Sequence, residues 1–432
     1  MPSEPNIPNG VDRMPSALVF YHYFHPDDVV SAIHLSELCE ELFQRGWTVT
    51  ARPCNRACRH GGEDYPLRGR WKGVRIRRIW RPAFPQSSTL GRLANAGWMI
   101  GQWGLEALRN APDFIIIGTD PVLSVALASI WKLIRPRTRV AHWCFDLYPE
   151  AAIADGMLSD SSLFVKLLRP GLRRAYQSCD LLVDLGSCMR KRLERYQSNA
   201  SQVTLTPWAL YEPASALPVD EDERRKIFGD AALALLYSGS FGRAHSAGLV
   251  LELARRLEPR GARLAFSIQG NRAAELSEQA RGISNVSFVP FAPYADLHER
   301  LSAADIHVVS LHESWTGAVV PSKFFGALAA GRPVLFAGSF ESSIANWITQ
   351  HKVGWVLTEA TLDSVANQLS QCCRNPGHMP GLFAHCHAVY QRHFSKAMIA
   401  DEWDRKLRGL LGEDPVGAVA RSDATYAGAI NR

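Results

Sequence analysis

Pro321, Ser322 and Lys323 open a small-residue helix, Ser322 to Ala330, inside the stretch IHVVSLHESWTGAVVPSKFFGALAAGRPVLFA (Ile306 to Ala337). Ser322 can cap the first-turn N–H groups, and Lys323 adds an ammonium beside them, which makes this helix start an anion site. A second corner of the same kind is YSGSFGRAHS, between the strand Leu233 to Tyr237 and the helix AGLVLELARRL. There Gly239 and Gly242 let the backbone approach a ligand, Arg243 supplies charge, and Ser246 is placed to cap. Two cationic helix starts at one sheet edge suit a diphosphate better than a lone anion. The next strand of that half, Leu264 to Ile268, ends in Gln269-Gly270-Asn271-Arg272 at the same edge.

A third polar cluster lies in RVAHWCFDLYPE, where a strand runs out into His142, Asp146 and Glu150 around Trp143 and Tyr148. Ligands of open parallel sheets gather at strand carboxyl ends, so this cluster is placed for substrate or chemistry. A solvated loop with a satisfied histidine would carry the same residues. The loop YFHPDDVVSA holds Asp27, Asp28 and Ser31 but no glycine-rich fingerprint, so a phosphate is not expected there.

These corners need two series of alternating strands and helices. The first runs from the strand Ala17 to His22, through the helix that Ser31 opens, to the strands Thr48 to Ala51, Val74 to Trp80, Phe114 to Ile117 and Arg139 onward. The second starts at Leu233. The pattern predicts α/β domains with doubly wound parallel sheets. Their bounds are set at 15–210 and 233–395, with a Pro/Ala/acid-rich linker at 211–232, a last helix at 396–412 and a disordered tail at 413–432.

The 432 residues are 47% apolar and 21% charged, with a net charge of +6, which fits a globular chain rather than a nucleic-acid binder. Nine cysteines point to reduced thiols in the cytoplasm. Cys54, Cys58 and His60 lack a second cluster to complete a metal set, and no metal is expected. The longest apolar run, Val122 to Ile134, is too short to span a bilayer, so membrane contact would be peripheral. Seven basic residues and no acid lie between Arg68 and Arg81, and Leu163 to Tyr176 is a basic amphipathic helix. Together they are expected to form one face for an anionic membrane or a phosphate-bearing lipid.

With these residues laid out, the chain resembles the GT-B type glycosyltransferases of family 4, and most of all the bacterial fucosaminyltransferase-like branch of surface-polysaccharide synthesis. The resemblance covers roughly Ala17 to Leu410. It rests on YFHPDDVVSAIHLSELCEELFQRGW, FDLYPEAAIADGML, SGSFGRAHSAGLVLELA and VVPSKFFGALAAGRPV. It implies two Rossmann-like domains across a cleft and a last helix that crosses back to the first. It implies transfer with anomeric retention from a nucleotide-sugar, taken as UDP-linked, with no cofactor and no metal. Carried over by position, Gly239, Phe241, Gly242 and Arg243 would line the diphosphate opposite Pro321, Ser322 and Lys323. Gln269, Gly270, Asn271 and Phe291 would meet the base.

Asp27, Ser31 and Glu150 would face a glycan or lipid-linked acceptor, which Asp146 or His142 would orient. The glutamate pair of many relatives is absent, with Ala318 and Gly326 in its places. That absence and the Asp-rich first loop motivate an alternative, a catalytically silent partner or scaffold of the same shape; a third reading is a nucleotide-sugar 2-epimerase, with catalytic carboxylates and histidines in the cleft and no acceptor.

Overall fold

The computed structural model describes residues 13–58, 64–84, 88–293, 296–375, 377 and 379–412. His60 and the expected tail, 413–432, lie outside them. Eight strands form the first sheet, in the spatial order β3 (Arg68–Trp71), β4 (Val74–Arg77), β2 (Thr48–Ala51), β1 (Ser16–Phe20), β5 (Phe114–Gly118), β6 (Arg139–Trp143), β7 (Leu181–Asp184) and β8 (Ser201–Thr204). Only β3 runs antiparallel. The second sheet is wholly parallel, in the order β11 (Val286–Phe288), β10 (Ala262–Gln269), β9 (Leu233–Ser240), β12 (Ile306–Ser310), β13 (Val334–Ala337) and β14 (Gly354–Leu357).

Parallel strands are covered on both faces and read as unbroken apolar runs. FIIIG, IHVVS and VLFA are buried along their whole length for this reason. Where a strand is not covered the sequence misleads. The segment Val74 to Trp80, expected as one strand, is the second arm of a hairpin. Its first arm, Arg-Gly-Arg-Trp, is exposed and carries no apolar signal. The hairpin closes through Lys72 and Gly73, both at positive φ, which matches the twist of a two-residue turn.

The expected linker 211–232 is in part a helix, α7 (Glu221–Phe228), capped by the Asp220 carboxylate at 2.9 Å from the Glu223 N–H. Ile227 and Phe228 pack with Ala234, Leu236 and Ala265 of the second sheet. EDERRKIF buries so few apolar residues that its composition resembles a linker.

The last helix, α15 (Lys396–Leu411), crosses to the first sheet's side. Its Asp404 accepts the Trp47 indole N–H at 2.6 Å, Asp401 pairs with Arg45 at 2.6 Å, and buried Trp403 meets Trp143 edge-on at 5.3 Å. All nine cysteines are free thiols. Among the described residues no helix is long and apolar enough to cross a membrane.

Candidate active site

Crevices open in doubly wound sheets where consecutive connections leave a strand to opposite sides. In the second sheet that strand is β9, which lies between β10 and β12. Gly239, at φ +124°, stands at its end, and a Cβ there would fall 2.6 Å from Cε of Lys323. The lysine stem thus lies across the glycine, and the two helix starts meet as the sequence predicts. The Lys323 ammonium sits 3.3 Å from Nε2 of His245 and 5.4 Å from the Tyr237 ring centre. Burial pushes Lys323 down to about 8, and burial together with the Lys323 charge pushes His245 down to about 3. The imidazole is therefore neutral and accepts from the ammonium. No carboxylate among the described residues pairs with Lys323, so its charge is left for a ligand.

Neither expected hydroxyl cap forms. The helix α11 (Lys323–Ala329) follows Ser322 without a side-chain cap, and α8 (Gly248–Leu257) starts after Ala247, with Ser246 outside the cap position. Phe241 is also corrected as a contact. Its ring is buried against Tyr237 and His245, and its N–H donates to the Gln269 carbonyl at 2.7 Å. Gly270 is required by that turn, since at φ +133° a Cβ would stand 2.4 Å from the Phe241 carbonyl oxygen. Gln269, Asn271 and Phe291 are exposed, Gly242 approaches Asn271, and Pro321 is buried.

Arg243 does not turn toward Lys323. It pairs at 2.5 Å with Asp155, just past α4 (Glu150–Ala154) on the first sheet's side. Arg243, Asp155, Asn271, Arg272, His312 and Trp315 line an open pocket of about 530 Å3 between the two halves. The seam is fixed elsewhere by the Leu147 N–H to the Ala318 carbonyl at 2.9 Å, Arg192 to the Thr316 carbonyl at 2.6 Å, and the Cys188 N–H to the Ser343 hydroxyl at 3.2 Å.

On the first sheet the switch strand is β1, between β2 and β5. The residues past β1 and β5 are His22 and Asp120, neither of which the sequence singled out. The His22 N–H donates to the Asp120 carbonyl at 2.9 Å, and its Nδ1 stands 3.4 Å from the Asp120 carboxylate. Burial alone would lower His22, but the Asp120 charge and hydrogen bond outweigh it and raise the imidazole to about 9. Topology is the signal that finds this pair: each residue lies just beyond a strand flanking the switch point.

Asp146 joins them, since the Asp120 charge acts on it. Its backbone forms a bridge with Val319 of the other half. Water reaches its carboxyl, yet protein atoms crowd around it. Burial first and Asp120 second push it up to about 6. We expect Asp146→Asn to raise the melting temperature more at pH 7 than at pH 4. A carboxyl raised above its unfolded value lends its stability below about pH 4 and loses it as pH rises through 6. Melting curves at the two pH values check this.

Three expected contacts, His142, Glu150 and Asp27, are taken up by partners within the first domain, while the fourth, Ser31, stays beside this edge. His142 is buried in the core with Nδ1 2.9 Å from the Ile117 carbonyl, and burial lowers it to about 4. Glu150 is buried and accepts from the Tyr196 hydroxyl at 2.7 Å and Arg195 at 3.2 Å. Asp27 accepts the Cys58 N–H at 2.8 Å, which ties two loops together. The Ser31 hydroxyl accepts from Tyr21 at 2.6 Å, and the Asp120 and Asp146 charges act on that tyrosine. Each satisfies a partner that a buried polar group needs. Cys54 is buried with its thiol 3.2 Å from the Arg56 carbonyl. Among the described residues no group of three or more His, Cys, Asp or Glu is placed to hold a metal.

Two doubly wound domains that meet at the carboxyl edges of their strands, with a last helix returning to the first, define the GT-B class of glycosyltransferase. Family models match side by side: a glycosyl transferase 4-like domain over residues 31–209 and a glycosyl transferases group 1 domain over 232–375. The chain belongs to the family 4 glycosyltransferases of this class.

It is 23% identical over 313 residues to the probable glycosyltransferase WbjE of Pseudomonas aeruginosa, covering 70% of this chain and 74% of that one. It is 29% identical over 268 residues to the putative colanic acid biosynthesis glycosyl transferase WcaI of Escherichia coli K12, covering 59% and 65%. Among solved structures, sucrose-phosphate synthase from Thermosynechococcus elongatus superposes with a TM-score of 0.70 at 16% identity, over 93% of this chain and 100% of that one.

Proposed function

We propose that the protein is a retaining glycosyltransferase of surface-polysaccharide synthesis, of the fucosaminyltransferase-like branch, moving a sugar from a UDP-linked donor to a glycan or lipid-linked acceptor. The observation that carries the donor half is Lys323, a half-buried ammonium at a sheet switch point with no carboxylate partner among the described residues. The bond from the anomeric carbon to the diphosphate breaks as the bond to the acceptor oxygen forms, and the acceptor proton leaves with the departing diphosphate. Lys323 and the helix-start dipoles stabilise the charge that collects there. Arg243 joins them when donor binding draws it from Asp155.

Asp120, held by His22, and Asp146 orient the acceptor from the opposite edge. The test is release of UDP from a panel of UDP-sugars with isolated cell-envelope glycans or lipid-linked sugars. Release that requires both donor and acceptor is the expected result, and acceptor-independent interconversion of the donor would contradict it. The reaction needs no bound metal, so EDTA is expected to leave the rate within about twofold of its value without chelator, and initial rates with and without it decide.

The protein works at the cytoplasmic face of an anionic membrane. The support is α5 (Leu163–Gln177), which exposes Leu163, Phe164 and Leu167 beside Lys166, Arg169, Arg173 and Arg174. Apolar side chains ringed by basic ones suit a lipid interface. The hairpin of β3 and β4 does not extend this face, as the sequence suggested. Strands β2, β1, β5 and β6 separate it from β7, before which α5 runs. Pelleting with phosphatidylglycerol vesicles at low salt, release at high salt, and loss in Leu163→Ser/Phe164→Ser are expected. Equal pelleting of the variant would remove α5 from the contact.

A further inference from the structure

A cavity of about 250 Å3 opens on the first domain between the sheet and the end of α2 (Thr89–Arg109), lined by Thr48, Thr50, Arg52, Arg75, Arg77 and Glu106 among others. It lies by the starts of β1 and β2, at the edge opposite the cleft. Alternate residues of a strand share a face, and Thr50 stands level with Arg75, so Arg52, Arg75 and Arg77 converge there. Arg52 donates to Glu106 and to the Arg77 carbonyl at 3.0 Å, while its Nε is buried without a partner. Glu106 is the one acid of the lining.

A second observation comes from the hairpin register. Arg68 stands directly opposite Arg77, and Arg70 directly opposite Arg75. Opposed residues of an antiparallel pair point to the same face, and like charges in that arrangement are destabilising. Among the described residues none of these four arginines pairs with a carboxylate, and water alone screens them. Two stacked like-charge pairs at the mouth of a cationic cavity form a stable surface when an anion stands between them. The pairs are separated by about 7 Å along the strands.

We propose that Arg52, Arg75 and Arg77, with Arg68 and Arg70, form a second anion site for a phosphate-bearing ligand, separate from the donor corner at Lys323. Guanidinium groups match phosphate oxygens in a bidentate fashion, and the Thr48 and Thr50 hydroxyls add donors. The phosphate comes either from a free phosphorylated small molecule or from a lipid headgroup.

Calorimetric titration of the full chain with inorganic pyrophosphate tests the site. Affinity is expected to fall by about tenfold or more in Arg75→Gln/Arg77→Gln and to survive at this site in Lys323→Ala, which separates it from the donor corner. Without any anion, Arg75→Gln/Arg77→Gln is expected to melt no lower than the native protein, because the like-charge pairs are gone. Pelleting with phosphatidylcholine vesicles carrying phosphatidic acid, done in the Leu163→Ser/Phe164→Ser background so that α5 does not hold the protein on the vesicle, assigns the source. A loss confined to the variant names the headgroup, and equal pelleting names the free phosphate. Pyrophosphate affinity unchanged in the variant, or a lower melting temperature in anion-free buffer, would overturn the proposal.

Discussion

Lys323→Ala lowers turnover by about 100- to 1,000-fold, the cost of removing one preorganised charge from a developing oxyanion, while the protein stays folded. The side chain reaches His245 at 3.3 Å and lies over the Tyr237 ring, with no ion pair among the described residues, so its loss removes no buried charge partner. Burial that lowers Lys323 to about 8 adds a pH signature. The ammonium is present below pH 8 and lost above it, so donor affinity falls as pH rises through 8 in the native protein. In the alanine variant that limb is absent. Initial rates and nucleotide affinity across pH 6.5 to 9.5 read both effects, and circular dichroism confirms the fold. Gly239→Ala should mimic the defect, because the new Cβ displaces the lysine stem lying across it.

Asp120→Asn is expected to slow turnover by roughly 100-fold or more with nucleotide affinity unchanged, since Asp120 faces the opposite edge of the cleft from Lys323. Its signature lies in His22. The native imidazole, raised to about 9 by the Asp120 carboxylate, is an imidazolium at neutral pH. Loss of the carboxylate leaves burial as the dominant influence, and His22 becomes neutral there. A group raised on folding lends its stability fully below its unfolded value, about 6.5, and loses it as pH rises through 9. Native protein and variant should therefore differ most in stability below pH 6.5 and converge above 9. An unchanged rate in the variant would remove Asp120 from the acceptor side; an unmoved His22 imidazole titration would break the ion pair instead.

The central strands were legible because burial on both faces leaves unbroken apolar runs such as FIIIG and VLFA. The corner proposed for the donor was legible as a place in the fold because Gly239, Gly242 and Lys323 flank such runs, and only topology had to bring them together. The edge proposed for the acceptor was not. His142 and Glu150 drew attention as polar residues near a strand end, but parallel strands also carry polar groups that serve inner partners, here the Ile117 carbonyl and Tyr196. His22 and Asp120 look ordinary in sequence. Their place at the switch point arises from strand order, which puts β1 beside β5 although β5 lies far along the chain. The hairpin arm Arg68–Trp71 was hidden for a related reason: an exposed edge strand needs no apolar residues, and its charges discourage pairing with other edges. Arg243 shows a further limit. Its motif is plain in sequence, but the acid it reaches belongs to the other half of the molecule.

The most direct measurement is the melting temperature of the native protein and of Lys323→Ala against UDP, GDP and dTDP. A ligand that binds the folded state stabilises it by mass action, by about 2.7 kcal/mol at a hundredfold excess over Kd, and so raises the midpoint. With the second anion site removed by Arg75→Gln/Arg77→Gln in both proteins, the one that keeps Lys323 is expected to be stabilised by UDP and by neither of the other two, and the one that carries Lys323→Ala by none. Stabilisation of both proteins to the same degree, or of neither by any nucleotide at millimolar concentration, would contradict the account.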